Sequence, residues 1–143
     1  IPHSPLAPRY AFCTGIKNNI RVDFINIKGQ QNPKRSTEEV LKLEADLITQ
    51  KIPNDCYLIL CDIAGDKLSS IALSKLFEDL MHRNLTICFV IGGSLGLSES
   101  LIKISNKVLS ASNFTFPHRL FRIILVEQIY RAISIINNAP YHK

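Results

Sequence analysis

The chain has 143 residues, of which 46% are hydrophobic and 20% are charged, and this balance excludes an intrinsically disordered chain. No apolar run approaches the roughly 20 residues of a membrane-spanning helix, so we expect a soluble protein with no membrane partner. The pattern of its cysteines, which lacks a disulfide framework, favours the cytoplasm. Lysine and arginine number 17 against 12 acidic residues, and the net charge of +5 is compatible with a nucleic-acid partner.

Strands and helices are predicted to alternate along the chain behind an irregular segment over residues 1–16. This segment has three prolines in its first eight positions and no signal-peptide pattern. Strands are predicted over residues 20–27, 56–61, 85–91 and 107–112. Helices are predicted to begin after the capping residues Ser36, Ser69 and Ser98, and a last helix is predicted over residues 119–137.

Apolar strands that alternate with helices are typical of an α/β fold, with a mostly parallel sheet and helices on both faces. We expect a single domain over residues 1–143. The four cysteines include no C-x-x-C pair and three lie in apolar runs, so they are expected to be reduced thiols, and no metal site is expected: Cys13, Cys56, Cys61 and Cys88.

The ligand of such a sheet lies beyond the carboxyl ends of the strands. Three segments follow those ends and are expected to converge on one pocket: residues 62–66, 92–96 and 112–118.

Gly92, Gly93 and Gly96 follow a buried strand directly, so the backbone there can approach a ligand closely. Their spacing is not that of a dinucleotide motif or a phosphate-binding loop, which disfavours NAD and ATP. A nucleoside-like ligand such as S-adenosylmethionine suits this turn, and a purely structural glycine turn is the alternative. A side chain at Gly92 is expected to fill the ligand's space and to leave the fold largely intact.

The last predicted helix is apolar around most of its circumference, beyond the roughly 100° stripe that a surface helix needs. This surplus favours packing on a second subunit, and burial between the sheet and a loop is the alternative. Glu127 and Arg131 are spaced as an i,i+4 pair, which alone is typical of a surface salt bridge. From residue 117 onward, basic residues are mixed with histidines and tyrosines, a composition that suits the binding of RNA with unstacked bases. The alternative is a frayed basic terminus with no binding role.

Four motifs in this order resemble one known family, the RlmH family. They are IGGxxG at residues 91–96, FTFPH at 114–118, EQIYRA at 127–132 and PYHK at 140–143. Members of that family are SPOUT methyltransferases that methylate N3 of a pseudouridine in the 23S RNA of the large ribosomal subunit. The resemblance implies an α/β-knot fold with a C-terminal trefoil knot, S-adenosylmethionine as cofactor, a homodimer, and the ribosome as partner.

The resemblance places the cofactor on the three loops that the strand ends also indicate. The positions that it implies are Cys61, Gly92, Ala111, Ser112, Asn113, Phe114, Thr115 and Phe116. The chemistry requires a residue that stabilises developing negative charge and a residue that accepts a proton. An acidic residue can hold the charge stabiliser in place, and an aromatic ring can stack on the base. The four roles are taken in the order charge stabiliser, acidic residue, aromatic ring and proton acceptor. The candidates are, in that order, Arg131, Glu127, Tyr141, and either His118 or His142.

Two departures from the family pattern stand out. Ser94 occupies a position where the family usually has proline, and residues 1–16 show no counterpart of the family's first strand. We therefore expect an unpaired sheet edge at that position. Two other functions stay open: a non-catalytic RNA-binding dimer associated with the ribosome, and a SPOUT methyltransferase that acts on tRNA.

Overall fold

A computed structural model describes residues 9–16, 19–92 and 95–143, with side chains described from residue 23 onward. The elements in chain order are β1 (Arg9–Ile16), β2 (Asn19–Asn26), α1 (Thr37–Lys51), β3 (Cys56–Lys67), α2 (Ser70–His82), β4 (Thr86–Ile91), α3 (Glu99–Ile104), β5 (Lys107–Ser110) and α4 (His118–Ile136). Among the described helices, none is both long and apolar enough to cross a membrane.

The strands form one five-stranded sheet in the order β2-β1-β4-β3-β5. β3 pairs in parallel with β4 and with β5, whereas β1 pairs antiparallel with β2 and with β4. In this sheet β1 therefore runs against the four other strands, and their carboxyl ends share one edge. The predicted α/β fold with a mostly parallel sheet is confirmed.

The prediction of an irregular amino-terminal segment is wrong for residues 9–16, because these residues form β1. The pairing covers both edges of this strand: Arg9 faces Asn26 of β2 and Ile91 of β4. Three prolines dominate the first eight positions, but the next eight include the strand-forming Tyr10 and Phe12. A paired strand thus stands where an unpaired edge was expected, and residues 1–8 lie outside the described residues.

The predicted helix starts are confirmed by their capping hydrogen bonds. The hydroxyls of Ser36, Ser69 and Ser98 each accept from the backbone N–H three residues later, at 3.2, 3.0 and 3.3 Å. Such caps satisfy N–H groups that have no partner inside the helix. They fix where α1, α2 and α3 begin.

Side chains alternate between two hydrophobic layers along β3 and β4. Ile59 and Phe89 face α2 and α4, whereas Leu60 and Val90 face α1 and α3, and all four are fully buried. Because successive side chains of a strand point to opposite faces, helices cover both sides of the sheet. The continuous apolar runs of both strands follow from this double burial.

Residues 62–66 were expected to leave the end of a strand, but they lie within β3. Cys61 and Asp66 both pair with Leu109 of β5, so the residues between them form a bulge. A Cβ at Gly65 would lie 2.6 Å from the carbonyl carbon of Val108, so only glycine fits against that backbone. The bulge projects Asp62 and Ile63 toward the sheet's carboxyl edge.

The final helix α4 has two apolar faces. Leu125, Ile129 and Ala132 are buried in the layer shared with α2. On the outer side Ile123 and Tyr130 are 64% and 59% exposed. The core of the described chain therefore covers only one of these faces.

Candidate active site

A cavity of about 360 Å³ lies at the carboxyl ends of β3, β4 and β5. This volume falls in the range of about 300–1,000 Å³ that is usual for small-molecule sites. The lining residues come from the bulge of β3, from the glycine turn after β4, and from the loop between β5 and α4. The predicted convergence of these three segments on one pocket is confirmed.

Of the eight predicted cofactor residues, seven line this cavity: Cys61, Gly92, Ala111, Ser112, Phe114, Thr115 and Phe116. Asn113 does not line it and is exposed. His118, at the first position of α4, lies on the same cavity.

The loop between β5 and α4 is held by its own serines. The Ser110 hydroxyl donates to the carbonyl of Ser112 at 2.9 Å, and the Ser112 hydroxyl accepts from the N–H of Phe114 at 2.9 Å. Phe114 is 78% exposed at the cavity rim. Burial raises the pKa of the Cys61 thiol to about 12, so this residue lines the cavity as a neutral thiol.

The glycine turn has a steric requirement that the sequence did not reveal. A Cβ at Gly92 would lie 2.9 Å from the Leu97 side chain and 3.0 Å from the carbonyl oxygen of Gly96. Gly96 itself has a φ of +86°, a conformation that residues with a side chain rarely adopt. A side chain at Gly92 would therefore require a shift of Leu97 and Gly96, in addition to entering the cavity.

The chemistry of the lining fits S-adenosylmethionine. Among the described residues that line the cavity there is no lysine or arginine, so no strong cation is present to bind phosphate. The walls are largely apolar and include the carboxylate-bearing Asp62, which suits a nucleoside that carries a positive sulfonium. No group of three or more histidine, cysteine or acidic side chains able to hold a metal ion occurs in the described part of the chain.

A second polar cluster, the Glu127 cluster, forms where the carboxyl-terminal tail folds onto α4. Arg131 donates from Nε and Nη2 to Glu127 Oε1 at 2.9 and 2.6 Å. The Tyr141 hydroxyl donates to the same oxygen at 3.1 Å. The Arg131 guanidinium also lies 4.8 Å from the centroid of the Tyr141 ring. The pair expected from spacing is thus part of a larger network.

His142 completes this cluster through Arg131. Its Nδ1 lies 3.1 Å from Arg131 Nη1. Because a guanidinium has only donors, Nδ1 of His142 must be the acceptor, and the proton of the neutral ring then lies on Nε2. In this arrangement neither ring nitrogen of His142 is available as a base.

Sequence reasoning missed Gln128 and Ser70. Gln128 Nε2 donates to Glu127 Oε2 at 2.8 Å, and the Ser70 hydroxyl donates to Gln128 Oε1 at 2.6 Å. Oε1 of Glu127 therefore accepts from Arg131 and from Tyr141 of the tail, whereas Oε2 is connected to α2 through Gln128. Gln128 stands inside the EQIYRA motif, but no spacing rule connects it to a residue 58 positions earlier.

The structure separates the two groups of predicted site residues within one chain. His118 lies on the cavity, whereas Glu127 and Arg131 lie nine and thirteen residues further along α4. At about 1.5 Å per residue these positions are roughly 14 and 20 Å from His118 along the helix axis. The cavity and the Glu127 cluster therefore do not form one site in a single chain.

Charge in the Glu127 cluster shifts the pKa of its members. The hydrogen bond from Arg131 lowers the pKa of Glu127 and raises that of Arg131. The hydrogen bond to the Glu127 carboxylate raises the pKa of the Tyr141 phenol, because a phenolate there would face a negative charge.

We expect the tail to detach from α4 in acid. The hydrogen bond from Arg131 contributes most to the lowered pKa of Glu127, and the hydrogen bond from Tyr141 of the tail lowers this pKa further. Docking is therefore more favourable above the ordinary carboxyl value of 4.5 and weakens as pH falls through the lowered value. The NMR contact between the Tyr130 and Tyr141 rings, which lie 4.8 Å apart, reports docking. In Glu127→Gln the contact between the two rings should be weak and should not change as the pH is lowered. If the contact in the wild type persists after Glu127 is protonated, the expectation is wrong.

Comparison with known proteins decides the family. The family described as "Predicted SPOUT methyltransferase" matches residues 9–142. The chain belongs to this SPOUT methyltransferase family. The ribosomal RNA large subunit methyltransferase H of Finegoldia magna is 47% identical over 128 residues, which cover 88% of this chain and 79% of the relative. The expected family resemblance is confirmed.

Two further relatives carry the same name. The ribosomal RNA large subunit methyltransferase H of Clostridium botulinum (strain Eklund 17B) is 42% identical, and the putative one of Methanococcus maripaludis is 40% identical. Each alignment covers 86% of this chain and 80% of the relative. The family match over residues 9–142 includes both the cavity and the Glu127 cluster.

Proposed function

We propose that this SPOUT protein transfers a methyl group from S-adenosylmethionine to N3 of a pseudouridine in large-subunit ribosomal RNA, in the cytoplasm. The observation that carries the proposal is the cavity at the strand ends, whose described lining has no lysine or arginine to bind phosphate, in a chain that also holds the Glu127 cluster. The names of its relatives support ribosomal RNA as the substrate. A single domain over residues 1–143 and a C-terminal trefoil knot belong to the same proposal.

The cavity residues hold the cofactor in this proposal. S-adenosylmethionine, when bound, supplies a methyl group activated by a positively charged sulfur. The glycine turn would let the backbone approach the nucleoside, and the loop fixed by Ser110 and Ser112 forms another part of the wall. Asn113 belongs to that loop but does not line the cavity, so we assign it no direct contact.

Arg131 stabilises the negative charge that develops on the uracil ring when N3 loses its proton. Of its five N–H donors, two point to Glu127 and one to His142, which leaves two for a carbonyl oxygen of the base. Tyr141, which already stacks against the guanidinium, offers a ring face to the base. Glu127 fixes the orientation of both residues.

His118 is the proton acceptor that we favour. The Nδ1 of His142 already accepts from Arg131, whereas His118 lies on the cofactor cavity. An acceptor beside the cavity is close to the nitrogen that is methylated, as general base catalysis requires.

A homodimer would unite the two separated groups. The outer face of α4 forms a groove of about 650 Å³ lined by exposed apolar residues, among them Phe24 and Ile123, together with Glu127 itself. A two-fold dimer on this face covers the groove and brings the tail of one protomer to the partner copy. We propose that the cavity of one copy and the Glu127 cluster of the other form each active site.

The test is methyl transfer from labelled S-adenosylmethionine to ribosomes that lack the modification, with tRNA as a parallel substrate. We expect label in the large-subunit RNA and heat of cofactor binding in calorimetry. Label in tRNA alone would favour the tRNA methyltransferase. Absence of both cofactor binding and label would favour a non-catalytic RNA-binding dimer.

Deletion of residues 141–143 is expected to separate catalysis from cofactor binding. Tyr141 is 41% exposed and its hydroxyl donates to Glu127, so the loss of the tail should lower the free energy of unfolding by about 1 kcal/mol. Cofactor affinity should stay unchanged, because the deleted residues do not line the cavity. Methyl transfer should fall about 100-fold, as for other misplaced reactants. Transfer at the wild-type rate would exclude a catalytic role of the tail.

A further inference from the structure

The loop between β2 and α1, residues 28–35, concentrates positive charge on an exposed surface. It carries Lys28, Lys34 and Arg35, and all three are exposed. No acidic residue occurs from residue 24 to residue 37. The loop therefore presents three cations, and the next acids along the chain, Glu38 and Glu39, lie in the first turn of α1.

Hydrogen bonds give this basic loop a defined shape. Arg35 Nη1 donates to the backbone carbonyl of Gln30 at 3.0 Å, and the N–H of Arg35 donates to the carbonyl of Asn32 at 2.9 Å. The N–H of Gln30 donates to the carboxylate of Glu44, a buried residue of α1. A loop that is already ordered loses little conformational entropy when it binds a partner.

The basic loop lies at the same edge of the sheet as the cofactor cavity. β2 runs in the same direction as β3, β4 and β5, so the loop leaves the sheet at their carboxyl ends. Several of its residues share a shallow depression of about 370 Å³ with Leu95. Leu95 directly precedes Gly96, which lines the cavity. Arg35 thus lies near the cavity mouth, and Lys34 precedes it directly in the loop.

The described lining of the cavity offers an RNA backbone no strong cation. Its described lining residues include no lysine or arginine, and Asp62 adds negative charge. An RNA that reaches this mouth must place phosphates beside it, and phosphates are held chiefly by lysine and arginine. We propose that the basic loop binds the phosphodiester backbone of the RNA whose base enters the active site, an inference that rests on the proposed methyl transfer to RNA.

The test compares two double variants that lose the same charge. Lys28→Ala/Lys34→Ala removes two loop cations, and the loop's hydrogen bonds at these positions use backbone atoms and survive. Lys75→Ala/Lys103→Ala removes two exposed lysines on α2 and α3 as the control. Binding to protein-free 23S RNA is measured over a series of salt concentrations, and cofactor affinity is measured by calorimetry.

We expect the slope of log affinity against log salt to become shallower by about 1 for each loop lysine removed. The control slope and the cofactor affinity of both variants should match the wild type. An unchanged slope in the loop variant, or an equal change in the control, overturns the inference. A loop effect on ribosomes but not on protein-free RNA also overturns it, because the partner is then an acidic protein. Failure of the proposed function shows separately, as absent methyl transfer by the wild type.

Discussion

Arg131→Lys is expected to lower kcat by about two orders of magnitude and to leave the cofactor Kd unchanged. Lysine keeps the charge but has too few donors, all on one nitrogen, to hydrogen bond to Glu127, to His142 and to the base together. The planar guanidinium of Arg131 bonds Glu127 and His142 and keeps two donors for the base. RNA affinity should change less than turnover, because the charge is retained. The measurements are single-turnover methyl transfer to ribosomes and calorimetry with S-adenosylmethionine.

Arg83→Lys is the matched control for this variant. Arg83 also forms an i,i+4 pair, with Asp79 at 3.2 Å, but both side chains are more than half exposed and lie outside the cavity and the Glu127 cluster. We expect wild-type turnover from it. If Arg131→Lys transfers methyl groups at the wild-type rate, Arg131 does not stabilise the developing charge.

Ile123→Asp is expected to give a folded monomer with methyl transfer reduced by at least about 100-fold. Ile123 is 64% exposed, so a charge there should change the free energy of unfolding of one chain by only about 0.5 kcal/mol or less. In a dimer the same charge would lose its water beside Phe24, Val126 and Tyr130 of the groove. Light scattering gives the mass, and thermal unfolding gives the stability.

Ile102→Asp provides the comparison for this substitution. Ile102 is 45% exposed on α3, on the opposite face of the sheet. We expect it to remain a dimer with full activity. If Ile123→Asp is dimeric and active, the outer face of α4 is not the interface.

Local chemistry explains why much of the fold could be predicted from the sequence. The serine caps act within three residues, and the continuous apolar runs of β3 and β4 reflect burial on both faces. The alternation of strands and helices then indicated parallel strands, whose carboxyl ends place the three cavity segments at one edge of the sheet. Each of these signals spans only a few residues, so a single sequence is enough to predict them.

Features that depend on distant partners escaped prediction. Ile133 and Ile123 look equivalent in an apolar helix, but Ile133 packs against the core and Ile123 is exposed. The bulge after Cys61 depends on its register with β5. β1 gains its pairing from β4, which lies far along the chain. Each outcome is set by tertiary contacts that a periodic pattern does not encode.

The most direct test of the central claim, that each active site combines two copies of the chain, is complementation between two inactive variants. Ala111→Trp blocks the cavity from an exposed position on its rim, and Arg131→Ala removes the charge stabiliser. After an equal mixture of the two is dissociated and reassembled, half of the dimers contain one of each. One of the two sites in each mixed dimer is then intact, so the account predicts about a quarter of wild-type methyl transfer. Activity that stays at the background of the separate variants, although mixed dimers form, would contradict it.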